Sequence, residues 1–540
     1  MFTMQRPARG DRDRDRPARA QPSPARTQPI RTLRVAPRCG SRETSLMAHS
    51  DDTRLDRRTF VARAAALVPA IVAAPTLLSC AAAERSAPGR FAEQSRAPRI
   101  AVIGCGGRGA ENLGDLLAAG ADVVALCDVD RRAIDAGCAT IASRGAANPW
   151  TSSDLRELFA RRRELRLDGV LIATPDHTHA FATALALRAR LPAYCEKPLT
   201  HTLAESRRIL ELARAARVPT QMGTQIHASE NYRRVVELIR AGAIGRVTSC
   251  DCWVNKGWCC GPTGPVAAPP DTLDYDLWLG PAQNEPYIAN LHPANWRKYW
   301  SYGSGTLGDM GCHMLDLPVW ALGLDRTALG TVEIYATTDR IDRVACPEWT
   351  EASWAIPQRD ADGKAIDPLV LRWFDNGRMS PTAQELGAKD RVDYHNRFNM
   401  VFQGTQGWLW ANYNEFLLTP GALGQAVADL TSKSPPPRIP PSPGHHREWL
   451  QAIQRWRGGD ERAADAPLCA FERATVLNEI VLSGTVAGRA GRPVSYDFRA
   501  QAFAGADPNA AWGGTPWDPE PRAGWSLDER NLDRILAGRA

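Results

Sequence analysis

No stretch of the 540 residues is apolar for long enough to make a stable helical membrane span. The nearest, Ala64–Ser79, has 16 residues and is broken by Pro69 and Pro75. An excess of charge of one sign is lacking too. The formal charge of +6 is concentrated in residues 1–46, which hold 11 Arg, no Lys and 4 acidic residues, so the remainder carries 55 basic against 56 acidic side chains. Without that head there is no basic footprint for nucleic acid. Internal repeats are absent, which removes solenoids and propellers. Histidine is scarce at 10 residues, and only one part of the chain clusters its 13 cysteines: Cys250, Cys252, Cys259 and Cys260. That array allows a metal site, a disulfide in an oxidising compartment, or small apolar side chains sharing one strand face. No metal is assigned to it.

What is present begins with two leader segments. Residues 1–46, rich in Arg, Pro and Asp, cannot bury enough surface to fold, and Met47 offers an alternative start. Residues 47–96 read as an export signal and linker. Asp56-Arg57-Arg58-Thr59-Phe60-Val61 resembles a twin-arginine signal, and Ala64–Ser79 suits its apolar region. Leu77-Leu78-Ser79-Cys80 resembles a lipobox that would anchor the chain through Cys80, while Ala81-Ala82-Ala83 offers plain cleavage instead. The expectation is an exported, periplasmic or outer-surface protein whose partners include the twin-arginine machinery. That route carries folded proteins, so any nicotinamide would have to be bound before export and retained.

The organising stretch follows. Ile100–Ile103 runs into Gly104-x-Gly106-x-Arg108-Gly109, and Ala110–Ala119 has a helical pattern. A strand, a tight glycine turn and a helix N-terminus together receive a dinucleotide pyrophosphate. Ala121–Leu126 reads as a second strand ending near Asp128, about twenty residues beyond the glycines, where a carboxylate meets the adenosine ribose. Its charge favours NAD over NADP, although Arg131-Arg132 could accept a 2′-phosphate. Helix and strand signals then alternate: a helix over Ser153–Arg163 capped by Ser153 or Ser152, a strand from Asp168 to Thr174, and a helix over Ala180–Arg190. A strand over Leu191–Cys195, a helix over Thr202–Arg217 and a strand over Pro219–Gly223 complete the series. This pattern gives a doubly wound parallel sheet over 97–226, with ligands gathered at the carboxyl ends of its strands. Thr174, Pro175, His179, Glu196 and Lys197 fall at or just past such ends.

Gly-Cys-Gly-Gly-Arg-Gly, Ala-Thr-Pro-Asp-His-Thr-His and Glu-Lys-Pro, in that order, resemble the signatures of the Gfo/Idh/MocA family, named for glucose–fructose oxidoreductase and inositol dehydrogenase. The resemblance implies that Lys197 sits beside the nicotinamide and stabilises a developing alkoxide. A second signature, Gly-Asp309-Met-Gly-Cys-His313-Met-Leu-Asp316, places Asp309 and His313 one helical turn apart. By the resemblance, His313 is the general base, while Asp309 orients it or binds a neighbouring hydroxyl. Asp316 would cap or brace the helix. Trp296, Arg297, Trp300 and Tyr302, just upstream, are candidates for a sugar site or equally for core.

Residues 227–498 are expected to form an α+β domain on a large, open, mainly antiparallel sheet that also makes homo-oligomer contacts. Residues 499–540 read as an extended arm. The function expected is an NAD(P)-dependent oxidoreductase acting on a sugar, polyol or glycoside, with tightly bound cofactor. Two alternatives stand beside it: an NAD-dependent glycoside hydrolase using transient oxidation, and a non-catalytic carbohydrate-binding protein.

Overall fold

The computed structural model describes residues 96–258, 264–420, 439–505 and 518–539. The leader, with Arg57, Arg58 and Cys80, lies outside the described residues, as do Cys259 and Cys260. Among the described residues no helix is long and apolar enough to cross a membrane.

The first domain alternates β1 (Arg99–Ile103), α1 (Arg108–Ala119), β2 (Asp122–Cys127), α2 (Arg131–Ser143), β3 (Trp150–Ser152), α3 (Leu155–Ala160), β4 (Gly169–Ile172), α4 (Asp176–Arg188), β5 (Ala193–Cys195), α5 (Leu203–Ala216) and β6 (Thr220–Met222). The six strands are parallel in the order β3-β2-β1-β4-β5-β6. β1 and β4 lie centrally, and apart from Arg99 their side chains are buried, as expected for a strand covered on both faces. Strand order reverses between β1 and β4, so their carboxyl ends open the crevice where such folds bind ligands.

Local chemistry sets the helix starts. Thr202 and Glu205 form a reciprocal capping box on α5. The cap of α3 is Asp154, not Ser153 or Ser152. Its carboxylate takes the Arg156 N–H, and the Ser152 hydroxyl instead accepts from Asp154 N–H. α4 starts four residues earlier than its apolar run suggested, because extended Pro175 serves as its N-cap.

The second domain contains α6 (Glu230–Arg240), β7 (Val247–Val254), α7 (Gly305–Met314), α8 (Asp316–Ala321), β8 (Thr331–Thr338), β9 (Thr350–Arg359), β10 (Ala365–Asp375), α9 (Pro381–Asp390), β11 (Met400–Gly404), β12 (Trp408–Ala411), β13 (Phe416–Thr419), α10 (His445–Arg457), α11 (Phe471–Ala490), β14 (Val494–Asp497) and β15 (Ala502–Ala504). Its nine strands order as β13-β12-β11-β7-β10-β9-β8-β14-β15, with β7–β10 parallel and every other neighbouring pair antiparallel. α7 and α11 lie against this sheet. Gly311 of α7 lets them approach closely, since a Cβ there would stand 3.1 Å from Val481.

Two late segments return to the first domain. α10 buries Trp449, Leu450 and Ile453 against Ile100 and Val102. The last residues form a helix, α12 (Glu529–Leu536), rather than continuing as an extended arm. Leu532 and Ile535 are fully buried, and Arg188 of α4 forms a bidentate pair with Asp533 at 2.8 Å. The sequence there reads as an arm because the apolar face of α12 is only two residues wide.

Candidate active site

The glycine turn is shaped for close approach. Gly104 has φ +84°, and a Cβ there would stand 2.6 Å from the Ala173 carbonyl; one on Gly109 would stand 1.9 Å from the Gly104 carbonyl. These two glycines hold the turn against β4 and α1. Gly106 is different: a Cβ would meet nothing closer than 3.6 Å, and the residue is exposed. Space over exposed Gly106 at the N-terminal end of α1 fits a pyrophosphate, while the Gly109 and Ala110 N–H groups turn back onto Gly106 O and Gly107 O and shape the loop. Thr174 Oγ1, buried at the end of β4 without a hydrogen-bond partner, is an orphan of the kind a bound dinucleotide would satisfy.

Asp128 faces that turn. Its Oδ2 accepts from Cys105 N–H at 2.6 Å and its Oδ1 from Asp130 N–H at 2.9 Å, while burial pushes its pKa up. Asp128 therefore braces the glycine loop and retains lone pairs for ribose hydroxyls. Arg108 reaches across to Glu196 at 3.4 Å and also pairs with Glu111. Glu196 further accepts from Asn112 (3.0 Å) and Gln225 (2.7 Å). Although burial opposes its charge, Lys197 and Arg108 hold its pKa below the ordinary value.

His179 lies buried between the ends of β4 and β5. Its Nδ1 lies 2.7 Å from Pro198 O and its Nε2 2.8 Å from Thr174 O, so the ring straps the end of β4 to the loop after β5. Both nitrogens are used, and the residue is 1% exposed. What these bonds do is position Thr174 and Pro198 at the crevice.

The carboxyl end of β5 delivers Lys197 into the site. Its Nζ donates to Asp309 Oδ1 at 2.7 Å and to the Asp309 carbonyl at 3.1 Å. Burial works against the ammonium, but Asp309 and Glu196 raise its pKa above the usual lysine value, so it is a cation at neutral pH. Asp309 is the hub. Besides Lys197, its carboxylate takes Lys256 Nζ at 2.8 Å and Trp258 Nε1 at 2.6 Å, with Arg297 Nε at 3.4 Å. Three cations hold one carboxylate well below its ordinary pKa despite burial. Three cations converge on this one carboxylate, and with Arg108 paired to Glu196 beside them the cluster is cation-rich, the polarity that favours an oxyanion.

α7 carries both Asp309 and His313, but Asp309 does not orient His313. Its oxygens are already engaged by Lys197, Lys256 and Trp258. His313 Nδ1 is buried without a hydrogen-bond partner, and burial followed by the Lys197 charge lowers its pKa to about 3. The imidazole is therefore neutral and only weakly basic in this state, with Nδ1 open to a partner.

Of the four upstream residues suggested for sugar binding, only Arg297 reaches this cluster. Its guanidinium stacks over Trp296 (4.2 Å) and Trp258 (5.3 Å). Trp296 and Tyr302 belong to the core with Trp278 and Tyr287. Trp296 Nε1 donates to Pro293 O, and Tyr302 Oη to Glu285. Trp300 donates to Asp342 O and packs under Arg489. Trp296 and Trp258 thus build the aromatic wall against which Arg297 is held, and Tyr302 is core.

Three residues of the site escaped the sequence reading. Lys256 and Trp258 follow β7, in a stretch whose pattern is dominated by its cysteine cluster. The available signal was scarcity: the chain has six lysines, and two of them meet on Asp309. Asp176, the first residue of α4, is 4% exposed, and burial raises its pKa to about 7 in the field of Arg297 and Lys197. Cys250 and Cys252 are fully buried free thiols on β7, and Cys252 donates to Met314 O.

Residues 98–224 match the model of an oxidoreductase family described as its NAD-binding Rossmann fold, and residues 243–366 match that family's C-terminal alpha/beta domain. The first domain thus binds NAD(P). The chain is 34% identical over 152 residues to inositol 2-dehydrogenase of Leifsonia xyli subsp. xyli, a match covering 28% of this chain and 42% of that protein. It is 27% identical over 150 residues to glycosyl hydrolase family 109 protein 2 of Akkermansia muciniphila, covering 27% and 32%. A solved NAD-binding protein from Listeria innocua superposes with a TM-score of 0.49 at 15% identity, covering 75% of this chain and 98% of that one. The chain thus spans less than half the length of these curated relatives.

Proposed function

We propose that the chain belongs to the Gfo/Idh/MocA oxidoreductase family, whose two domain models it matches in order, and that it moves hydride between NAD(P) and a hydroxyl-bearing carbon of a sugar or polyol. The observation that carries this reading is the Lys197–Asp309 pair at 2.7 Å. It brings a β5-end lysine of the cofactor domain onto a helix of the second domain, where the cation-rich cluster can hold an alkoxide. Held by its pyrophosphate at the glycine turn, with Gly106, Arg108, Asp128, Thr174 and Glu196 around it, the dinucleotide would supply the hydride acceptor through its nicotinamide ring beside Lys197. Neutral His313 takes the hydroxyl proton; Lys197 steadies the oxygen as charge develops; Asp309 fixes Lys197; and Arg297 and Lys256 orient neighbouring hydroxyls.

We further propose export of the folded holoprotein through the Arg57-Arg58 leader, with Cys80 as the lipid anchor, and assembly as a homo-oligomer. The leader motif supports export and anchoring. The open sheet supports assembly, since β8 turns Thr331, Glu333 and Tyr335 to the surface. Mass determination of the secreted protein distinguishes a lipid-bearing Cys80 terminus from plain cleavage at Ala81–Ala83.

The experiment for the catalytic reading is a screen of sugars and polyols against the holoprotein, followed by reduced-nicotinamide absorbance. A stoichiometric rise in absorbance with one class supports the dehydrogenase. Turnover of an aryl glycoside without net reduction would transfer the reading to a glycoside hydrolase, and absence of any released nicotinamide would leave only a carbohydrate-binding protein.

A further inference from the structure

A second cavity, of about 450 Å³, lies between the α5 end, α8, the segment after α8 and the start of α11, lined by a set of residues that includes neither Lys197 nor Asp309. Its volume falls in the range of small-ligand sites. His227, Asp316, Thr224 and Cys469 share its lining. All four are nine-tenths or more buried, at 4%, 7%, 1% and 5% exposure.

Their arrangement is ordered. His227 Nδ1 donates to Asp316 Oδ2 at 2.8 Å, and the ring stacks on Trp320 with centroids 3.7 Å apart, which fixes its plane. Its other nitrogen, Nε2, is buried with no hydrogen-bond partner of ordinary geometry. Thr224 Oγ1 donates to Cys469 Sγ at 3.1 Å, which fixes the sulfur. Burial disfavours the charged ring, yet the Asp316 carboxylate and the neighbouring Cys469 thiol raise the His227 pKa to about 10. Cysteine, imidazole and carboxylate in this order are the parts of an activated nucleophile.

The cavity wall adds selectivity. Of its four arginines, Arg214 is paired with Glu472 and Arg326 with buried Glu479, while Asp316 is paired to His227, which leaves Arg240 and Arg473 against Asp325. Arg240 donates to Trp320 O and Arg473 to Leu468 O. Such a lining favours a ligand with carboxylates.

We propose that Cys469, His227 and Asp316 form a second reactive centre, a nucleophilic thiol that exchanges with small, carboxylate-bearing disulfides entering this cavity. In the step, the Cys469–sulfur bond forms as the disulfide S–S bond breaks. His227 Nε2 gives a proton to the departing sulfur and is refilled from the Cys469 thiol. The products are a mixed disulfide on Cys469 and one free small thiol, and no other oxidant is required. Asp316 is a positioning residue that keeps the imidazole turned towards the sulfur.

The test treats the full-length holoprotein with dithiobis(nitrobenzoate), which carries two carboxylates, and with uncharged dithiodipyridine, and locates the label by peptide mass mapping. Cys469 is expected to react at least about tenfold faster than buried Cys127 and Cys195, and relatively faster with the anionic reagent once each is normalised to free cysteine. His227→Gln and Asp316→Asn should each slow Cys469 by about tenfold or more, while Asp316→Glu keeps the rate. Wild-type rates alone decide the matter if the variants do not fold. Labelling of Cys469 no faster than Cys195, or equal normalised rates for the two reagents, would overturn the proposal.

Discussion

At the residue scale the site is governed by how one carboxylate is shared. Asp309 and His313 were legible in the sequence as neighbours on one helix face, and the helix is there. Their partnership was not legible, because the competitors for Asp309 come from Lys197, 112 positions before it, and from Lys256 and Trp258, some fifty before it. Sequence spacing reports local geometry only, and electrostatics is decided by what the fold brings in. Lys197→Ala should lower hydride transfer on the order of 10²–10⁴-fold while nicotinamide is still released on denaturation; single-turnover absorbance and mass spectrometry check the two halves. Lys256→Ala should leave cofactor content unchanged and raise KM more than it lowers kcat, because its exposed ammonium bears on substrate orientation. A large loss of cofactor in that variant would move Lys256 out of the substrate site.

At the element scale the glycine turn separates two duties that one motif conceals. Gly109→Ala places a Cβ 1.9 Å from a backbone carbonyl and should lower Tm and cofactor content together. Gly106→Ala meets nothing closer than 3.6 Å in the protein and should leave Tm of the apoprotein near wild type while weakening nicotinamide binding. Thermal melts with and without added NAD distinguish the pair. The His227–Asp316 bond gives a pH dependence of definite sign. His227 is raised from 6.5 to about 10 in the folded protein, so its stabilisation is complete below about pH 6.5 and is lost as pH rises through about 10. The Tm difference between wild type and His227→Gln should shrink across that interval; a gap that widens with pH would contradict the charged pair. The alternating helices and strands of the first domain were readable because each run is apolar and bounded by turns. α2, α9 and β3 were not. α2 is built mostly of small residues with only Gly137 and Ile141 buried, α9 is a Ser380-capped helix with few apolar residues, and β3 has three residues, too few for any period to register.

At the scale of the whole molecule the chain is stitched by segments that return from far away. α12 closes on α3 and α4, and α10 closes on α1 and on Gly169 of β4. Neither destination can be read from local pattern, since a short amphipathic helix does not state which surface it covers. Leu532→Ala and Ile535→Ala should each cost about 2–5 kcal/mol by leaving a cavity under α12, measured by denaturant unfolding of the first domain's signal. The same assembly places an NAD(P)-binding crevice and a cation-rich helix end against each other, and the proposed oxidation depends on that meeting. The direct measurement is the spectrum of the purified holoprotein on adding the sugar or polyol that emerges from the screen. The account predicts reduction of bound nicotinamide in the wild type and its loss, with nicotinamide still bound, in Lys197→Ala. Equal reduction in both proteins would contradict it.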